Sequence, residues 1–143
     1  MQKIEFQAGT FITNRDLYQD ITSNNYNHNG IQQGETYLLN NTIPDRTNLY
    51  TAKLDYTVQG NAGKQLECGI KSSYATMNEA NIFEEYVDGR WTIDTNRSNR
   101  FLYNENINAA YASGNMTTGK FSLKTGIRAE HTHAAGNQVT QNI

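Results

Sequence analysis

Two neighbouring stretches of this sequence alternate apolar and polar residues with a period of two, and no other feature restricts the chain as strongly. Phe101, Tyr103, Ile107, Ala109 and Tyr111 share one parity, and Arg100, Asn104, Asn106 and Asn108 share the other. After Gly114-Asn115-Met116-Thr117-Thr118-Gly119, the residues Phe121, Leu123, Ile127 and Ala129 again share a parity, opposite Lys120, Lys124, Arg128 and Glu130. Successive side chains of a strand point to opposite faces, so the pattern predicts an antiparallel hairpin from Arg97 to His133 with one apolar and one charged face.

The pattern recurs upstream. Ile4, Phe6, Ala8, Thr10 and Ile12 alternate with Lys3, Glu5, Gln7 and Gly9; Tyr50, Ala52, Leu54, Tyr56 and Val58 alternate with Thr51, Lys53, Asp55 and Thr57; and Leu66, Cys68, Ile70 and Tyr74 oppose Gln65, Glu67, Gly69, Lys71 and Ser73. The expectation is an all-β antiparallel meander of about five long strands, near residues 3–13, 49–58, 64–75, 98–113 and 119–133. Extra pairing is expected at 35–40 and 82–94. The polar run through Asn24-Asn25-Tyr26-Asn27-His28-Asn29-Gly30 predicts a long loop or projecting hairpin over residues 14–34. Pro44 and the polar residues after it predict an interruption before Leu49. Asp88-Gly89 between Tyr86-Val87 and Arg90-Trp91 is a hairpin-turn signal, and Gln59-Gly60-Asn61-Ala62-Gly63 reads as a short turn.

Connections therefore alternate between long (14–48 and 75–96) and short (59–63 and 114–119). In a meander, alternate connections lie at the same end of the sheet, which gives one end tight turns and the other long polar loops. Outer-membrane barrels have that asymmetry. No uninterrupted apolar run of about 18 residues exists for a membrane helix. A barrel strand needs only about ten alternating residues, which agrees with a hydrophobic content of 36% and a mean hydropathy of -0.75.

Charge follows the same division. Lys53, Asp55, Glu67, Lys71, Lys124 and Arg128 all oppose the large apolar residues, and a Lys or Arg on a lipid face near the midplane would cost about 2–4 kcal/mol. Glu105 is the exception, since it shares parity with Tyr103 and Ile107, and it predicts a bulge or an interfacial position. Tyr103 and Tyr111, eight residues apart, are spaced by roughly 20 Å along a membrane normal, close to the separation of aromatic girdles. Two packed sheets also give each strand one apolar face, so a secreted or surface β-sandwich binding carbohydrate or protein is the alternative.

The strand sequences Leu49-Tyr50-Thr51-Ala52-Lys53-Leu54-Asp55-Tyr56-Thr57, Gly69-Ile70-Lys71-Ser72-Ser73-Tyr74, Asn104-Glu105-Asn106-Ile107-Asn108-Ala109-Ala110-Tyr111 and Gly126-Ile127-Arg128-Ala129-Glu130 resemble the outer-membrane β-barrel family allied to TonB-dependent receptors. The resemblance extends from Leu49 to about Gln138. It implies a bacterial outer-membrane location, a barrel that follows an N-terminal plug, and energised uptake of large nutrients. Plug, signal peptide, energy-coupling segment and an aromatic-tipped last strand are not recognisable here, so the expectation is an internal piece of a larger barrel. Such a piece should need detergent in isolation and form no pore alone. Its expected partners are outer-membrane lipid, the remaining barrel and plug, and an unidentified nutrient.

Other chemistry has little support. The 12 basic and 14 acidic residues leave a net charge of -2 with no block of one sign, which argues against nucleic acid as a partner. Cys68 is the single cysteine, which excludes an intrachain disulfide. His131 and His133 share a strand face at a spacing that can hold a metal, but no third ligand is evident. Glu84, Glu85 and Asp88 sit at a turn, where paired carboxylates are poorly held for catalysis. No catalytic, cofactor or metal residue is therefore assigned and no enzyme activity is expected. Tyr26, Tyr37, Tyr86 and Trp91 offer stacking surface in the loops.

Overall fold

A computed structural model describes residues 1–61 and 63–139. Ala62, within the expected short turn, and residues 140–143 lie outside the described residues. Six strands form one sheet: β1 (Gln2–Tyr26), β2 (Gln32–Gln59), β3 (Gln65–Val87), β4 (Arg90–Ile93), β5 (Asn99–Thr118) and β6 (Phe121–Val139). The order across the sheet is β1-β2-β3-β5-β6, and β4 pairs with β3 alone. Among the described residues the sheet is not closed, no helix is present, and no second sheet packs over it. The last observation removes the layer that the sandwich alternative requires.

Contacts between neighbouring strands run antiparallel throughout. Met1 bonds Gln59 and Thr51 bonds Gly9, so numbers rise on β1 as they fall on β2. Asn48 bonds Thr76 while Gly60 bonds Lys64 across β2 and β3. Arg100 bonds Asn78 while Asn108 accepts from Ser72 across β3 and β5. Thr117 bonds Ser122 at the β5–β6 turn. The β3–β4 hairpin pairs Val87 with Arg90 and Tyr86 with Trp91 around Asp88 and Gly89. Both turn residues hold positive φ, 52° and 80°, as the expected Asp-Gly turn requires.

The strands are longer than their alternating cores. Residues 14–26, expected as loop, continue β1, and the turn tightens to residues 27–31, where Asn27 accepts the Asn29 and Ile31 amides. Cross-strand pairs make this extension: Arg46 lies 2.7 Å from Asp16, Arg15 lies 3.3 Å from Asp45, and Thr36 bonds Asn24. Arg15, Asp16 and Asn24 find partners on the adjacent strand, so polarity that reads as a loop is compatible with a ladder. Nor does Pro44 interrupt β2; it removes one backbone donor without ending the strand.

By Cα proximity the chain divides into two compact units. One comprises Met1–Ile12, Asn48–Thr76 and Asn104–Ala135; the other comprises Thr13–Thr47, Met77–Tyr103 and the residues from Gly136 on. Neither contains an ordinary core, because the only buried hydrophobics among the described residues are Leu39, Ala80 and Ala109. The chain exposes 10579 Å², whereas a compact monomer of 16.2 kDa exposes about 7,500 Å². Phe6, Ile70, Phe121, Leu123 and Ile127 all remain exposed. An apolar face of this extent needs another medium to cover it.

Candidate functional site

The charged face of the first unit is organised by Asp55. Lys53 on the same strand lies 2.7 Å from one of its carboxylate oxygens, and the Tyr111 hydroxyl donates to the other. The Lys53 ammonium also sits 5.7 Å from the Tyr111 ring centroid. Tyr111 belongs to β5 and Asp55 to β2, so the ring must cross β3. Gly69 is what lets it cross: a Cβ there would lie 2.5 Å from both the Tyr111 hydroxyl oxygen and the Asp55 carboxylate. Glu67, Lys71, Ser113 and Arg128 continue this face around an open depression of about 580 Å³. With both oxygens engaged, Asp55 keeps its charge partners although it is 8% exposed.

This arrangement corrects the expected orientation of β5. Ile107 and Ala109 share a recess with Lys71, Ser73, Arg128 and Glu130, and Tyr111 touches Lys53 and Asp55, so the apolar parity of β5 lies on the charged face. Within the second unit, Phe101 and Tyr103 stack at 6.3 Å, and a Cβ at Gly136 would meet them at 3.1 and 3.8 Å. Tyr103 and Tyr111 are thus not a lipid-facing pair. Glu105 needs no bulge, because its parity already belongs with the charges. Aromatic and small apolar side chains suit this face because glycines on β3 and β6 leave them room.

The opposite face of the first unit carries Phe6, Leu54, Ile70, Ser72, Asn108 and His131 around an apolar groove of about 680 Å³. Its polar residues satisfy one another. Ser72 donates to Asn108 at 2.8 Å, Asn108 donates to Asn106, and Asn106 donates to the Ser73 carbonyl at 3.3 Å. A ladder of this kind lets three polar side chains remain on an apolar face, since each amide has a partner without water. Replacing Asn108→Ala leaves the Ser72 hydroxyl and the Asn106 oxygen without partners and should cost about 1 kcal/mol. Urea unfolding of the protein in detergent micelles checks it, and an unchanged midpoint would show the ladder to be idle.

In the second unit Arg97 joins three groups. It lies 3.0 Å from the Tyr37 hydroxyl, 3.2 Å from Asp94 and 3.5 Å from Glu85, and Tyr37 in turn donates to Glu85. Ser98 beside it is fully buried; its hydroxyl accepts the Phe83 amide at 2.9 Å and donates to the Phe83 carbonyl at 3.3 Å. Donation to Glu85 raises the Tyr37 pKa above the ordinary tyrosine range, with desolvation in support and Arg97 in opposition. This contribution to stability is complete below the ordinary tyrosine pKa and is lost as pH rises through the raised one. An ultraviolet titration should therefore show a late-ionising tyrosine component that is smaller by one residue in Glu85→Gln than in the wild type.

The remaining sequence candidates are dispersed. Glu85 is held by Tyr37 and Arg97, Glu84 pairs in register with Ile93, and Asp88 occupies the turn, so these carboxylates do not form an acid–base pair. His131 lines the apolar groove and His133 is exposed on the same strand. No group of three or more potential metal ligands occurs among the described residues. Tyr86 and Trp91 pack edge to face at 5.4 Å, while Tyr26 is exposed. Sequence reasoning missed the Lys53–Asp55–Tyr111 cluster. Its one signal was Gly69, a glycine inside a strand, which marks close approach of a neighbouring group.

A family model described as outer membrane protein beta-barrel family matches residues 1–143. No curated protein matches the chain. Among solved structures, a chain of the Gasdermin A3 membrane pore aligns at 9% identity over 90% of this chain and 54% of that one, with a TM-score of 0.15. A likeness that low carries no argument about the fold.

Proposed function

The chain belongs to the outer membrane protein β-barrel family, and from that premise we propose that it forms part of the wall of a TonB-dependent-type receptor or transporter. As a member of that family it is a protein of the bacterial outer membrane. In this reading it serves nutrient uptake or surface binding only within a complete barrel, as a transport element and not an enzyme. Its partners are outer-membrane lipid, the remaining barrel with its plug, and a large nutrient.

One observation carries the proposal: in a single-layer sheet, one face of the first unit is charged and the other apolar. Lys53, Asp55, Glu67, Lys71 and Arg128 fit a watery lumen, whereas Phe6, Leu54, Ile70 and Ile127 fit hydrocarbon. The connections after β2 and after β5 then belong to the periplasmic end, and the extended hairpins to the cell surface.

Nitroxide labels at Ile70 and Lys71 in the lipid-reconstituted protein separate the faces. Collision with oxygen should dominate at 70 and with a water-soluble nickel chelate at 71; the reverse would end the barrel reading. The receptor class is tested in cells by uptake of labelled ferric chelates and oligosaccharides after deletion of residues 49–139. Loss of uptake that a protonophore also abolishes supports it, while uptake that is intact and indifferent to the protonophore rejects it.

A further inference from the structure

The depression on the charged face of the first unit holds two opposite charges that nothing neutralises. Glu67 and Lys71 both line it, and neither has a side-chain partner among the described residues. The charges around them are already committed. Lys53 lies 2.7 Å from Asp55, and Arg128 donates to Glu130 through two guanidinium nitrogens, at 3.1 and 2.6 Å. Glu130 shares a recess with Lys71 yet pairs with Arg128, so the Lys71 ammonium keeps its charge uncompensated.

Spacing and floor then restrict what fits between them. Glu67 and Lys71 share a strand face four positions apart in β3, about 13 Å at 3.4 Å per residue. No side chain rises between them, because residue 69 is a glycine and the Tyr111 phenol lies across its place: a Cβ there would be 2.5 Å from the hydroxyl oxygen and 2.6 Å from Cζ. Ser113 lines the same depression, and its hydroxyl has no partner among the described residues. The depression thus has an aromatic floor, a free hydroxyl, a free carboxylate at one end and a free ammonium at the other. Its volume of about 580 Å³ lies in the range of small-ligand sites.

On the reading of this face as turned to a watery lumen, we infer that the depression binds a short linear peptide of three or four residues with free termini, its carboxylate on Lys71 and its ammonium on Glu67. An extended chain spans at most about 3.3–3.6 Å per residue, so three or four residues set the termini up to about 10–14 Å apart, the separation that the strand imposes. A single amino acid is too short to reach both charges, and a much longer peptide leaves one terminus outside. A polyanionic chelate is repelled by Glu67, and a neutral saccharide gains nothing from either charge. Ser113 offers its hydroxyl to the peptide backbone, and the Tyr111 ring packs against a small side chain.

Equilibrium dialysis of the full-length protein, extracted from outer membranes in detergent, against radiolabelled tetra-alanine tests this, with acetyl-tetra-alanine, tetra-alanine amide, maltotetraose and ferric citrate as competitors. Free tetra-alanine should bind, and capping either terminus should weaken binding about tenfold, the loss of one charge-assisted contact. Lys71→Met should weaken the free peptide by a similar factor and leave the amide unchanged, while Glu67→Gln should weaken the free peptide and leave the acetyl peptide unchanged. General loss of structure would not pair each substitution with one cap. Absence of saturable binding, equal affinity for free and capped peptides, or stronger displacement by maltotetraose or ferric citrate than by the free peptide overturns the inference. The Ile70 and Lys71 labels keep it apart from the barrel reading. Lipid at 70 and water at 71 with no peptide bound refutes the peptide site alone, whereas the reversed pattern refutes the assignment of the face.

Discussion

Ile70→Lys should destabilise the assembled barrel by about 2–4 kcal/mol, the cost of a lysine on the lipid face near the bilayer midplane. Ile70 lies five residues into β3, which at about 3.4 Å per residue and a tilt near 40° is roughly 13 Å from the turn, halfway up an apolar band about 25 Å tall. Ile107→Lys, the same chemical change, should cost less than about 1 kcal/mol. Ile107 shares its recess with Lys71, Arg128 and Glu130, where water and the Glu130 carboxylate receive the ammonium. Urea titration of both variants in lipid vesicles, followed by the loss of heat-resistant electrophoretic mobility, gives the comparison. Equal costs would sink the assignment of faces, and a larger cost at 107 would restore the orientation expected from periodicity.

Gly69→Val should be the more disruptive of two changes in the Asp55 cluster. Any Cβ at that position meets the Tyr111 hydroxyl and Asp55 at 2.5 Å, well inside contact distance, so the ring must leave its place over β3. Overpacking of this kind costs about 1–3 kcal/mol, to which loss of the Tyr111–Asp55 hydrogen bond adds about 1.5–3 kcal/mol because the acceptor is charged. Tyr111→Ala alone should lose the bond and the ring contact but introduce no clash. Combining the two should therefore cost clearly less than their sum, because the steric part of Gly69→Val vanishes once the ring is gone. Strict additivity in unfolding free energies would mean that Tyr111 and Gly69 act independently, and the crossing ring would then have no part in holding β2, β3 and β5 together.

Both predictions turn on one strand, where the limits of the sequence are clearest. Alternation in β5 correctly places Tyr111, Ala109 and Ile107 on a common face, since a strand has a period of two. It does not say which face, because that is fixed by how β5 registers against β3, and a shift of one residue exchanges the sides. For β2, β3 and β6 the charged residues resolve the ambiguity, as Lys53, Asp55, Glu67, Lys71 and Arg128 seek water. In β5 the residues that oppose the apolar set are chiefly asparagines, and Asn106 and Asn108 satisfy each other and Ser72 on the apolar side. Glu105 was the correct indicator, and its apparent misfit was the error in the assigned face.

The sequence by itself determined that the chain is built of antiparallel strands, that each strand has two chemically distinct sides, and that Asp88-Gly89 turns a hairpin. These are local consequences of side-chain alternation and of Gly, Asn and Asp at turns. Only the tertiary structure decided that residues 14–26 continue a strand, that Pro44 is accommodated within β2, that Tyr111 crosses Gly69 to Asp55, and which side of the sheet β5 turns its aromatic residues toward. Each depends on a partner brought from another strand: Asp45 and Asp16 for the arginines of the extended hairpin, a missing side chain at Gly69 for the ring. Periodicity along one strand carries no information about what the next one leaves open.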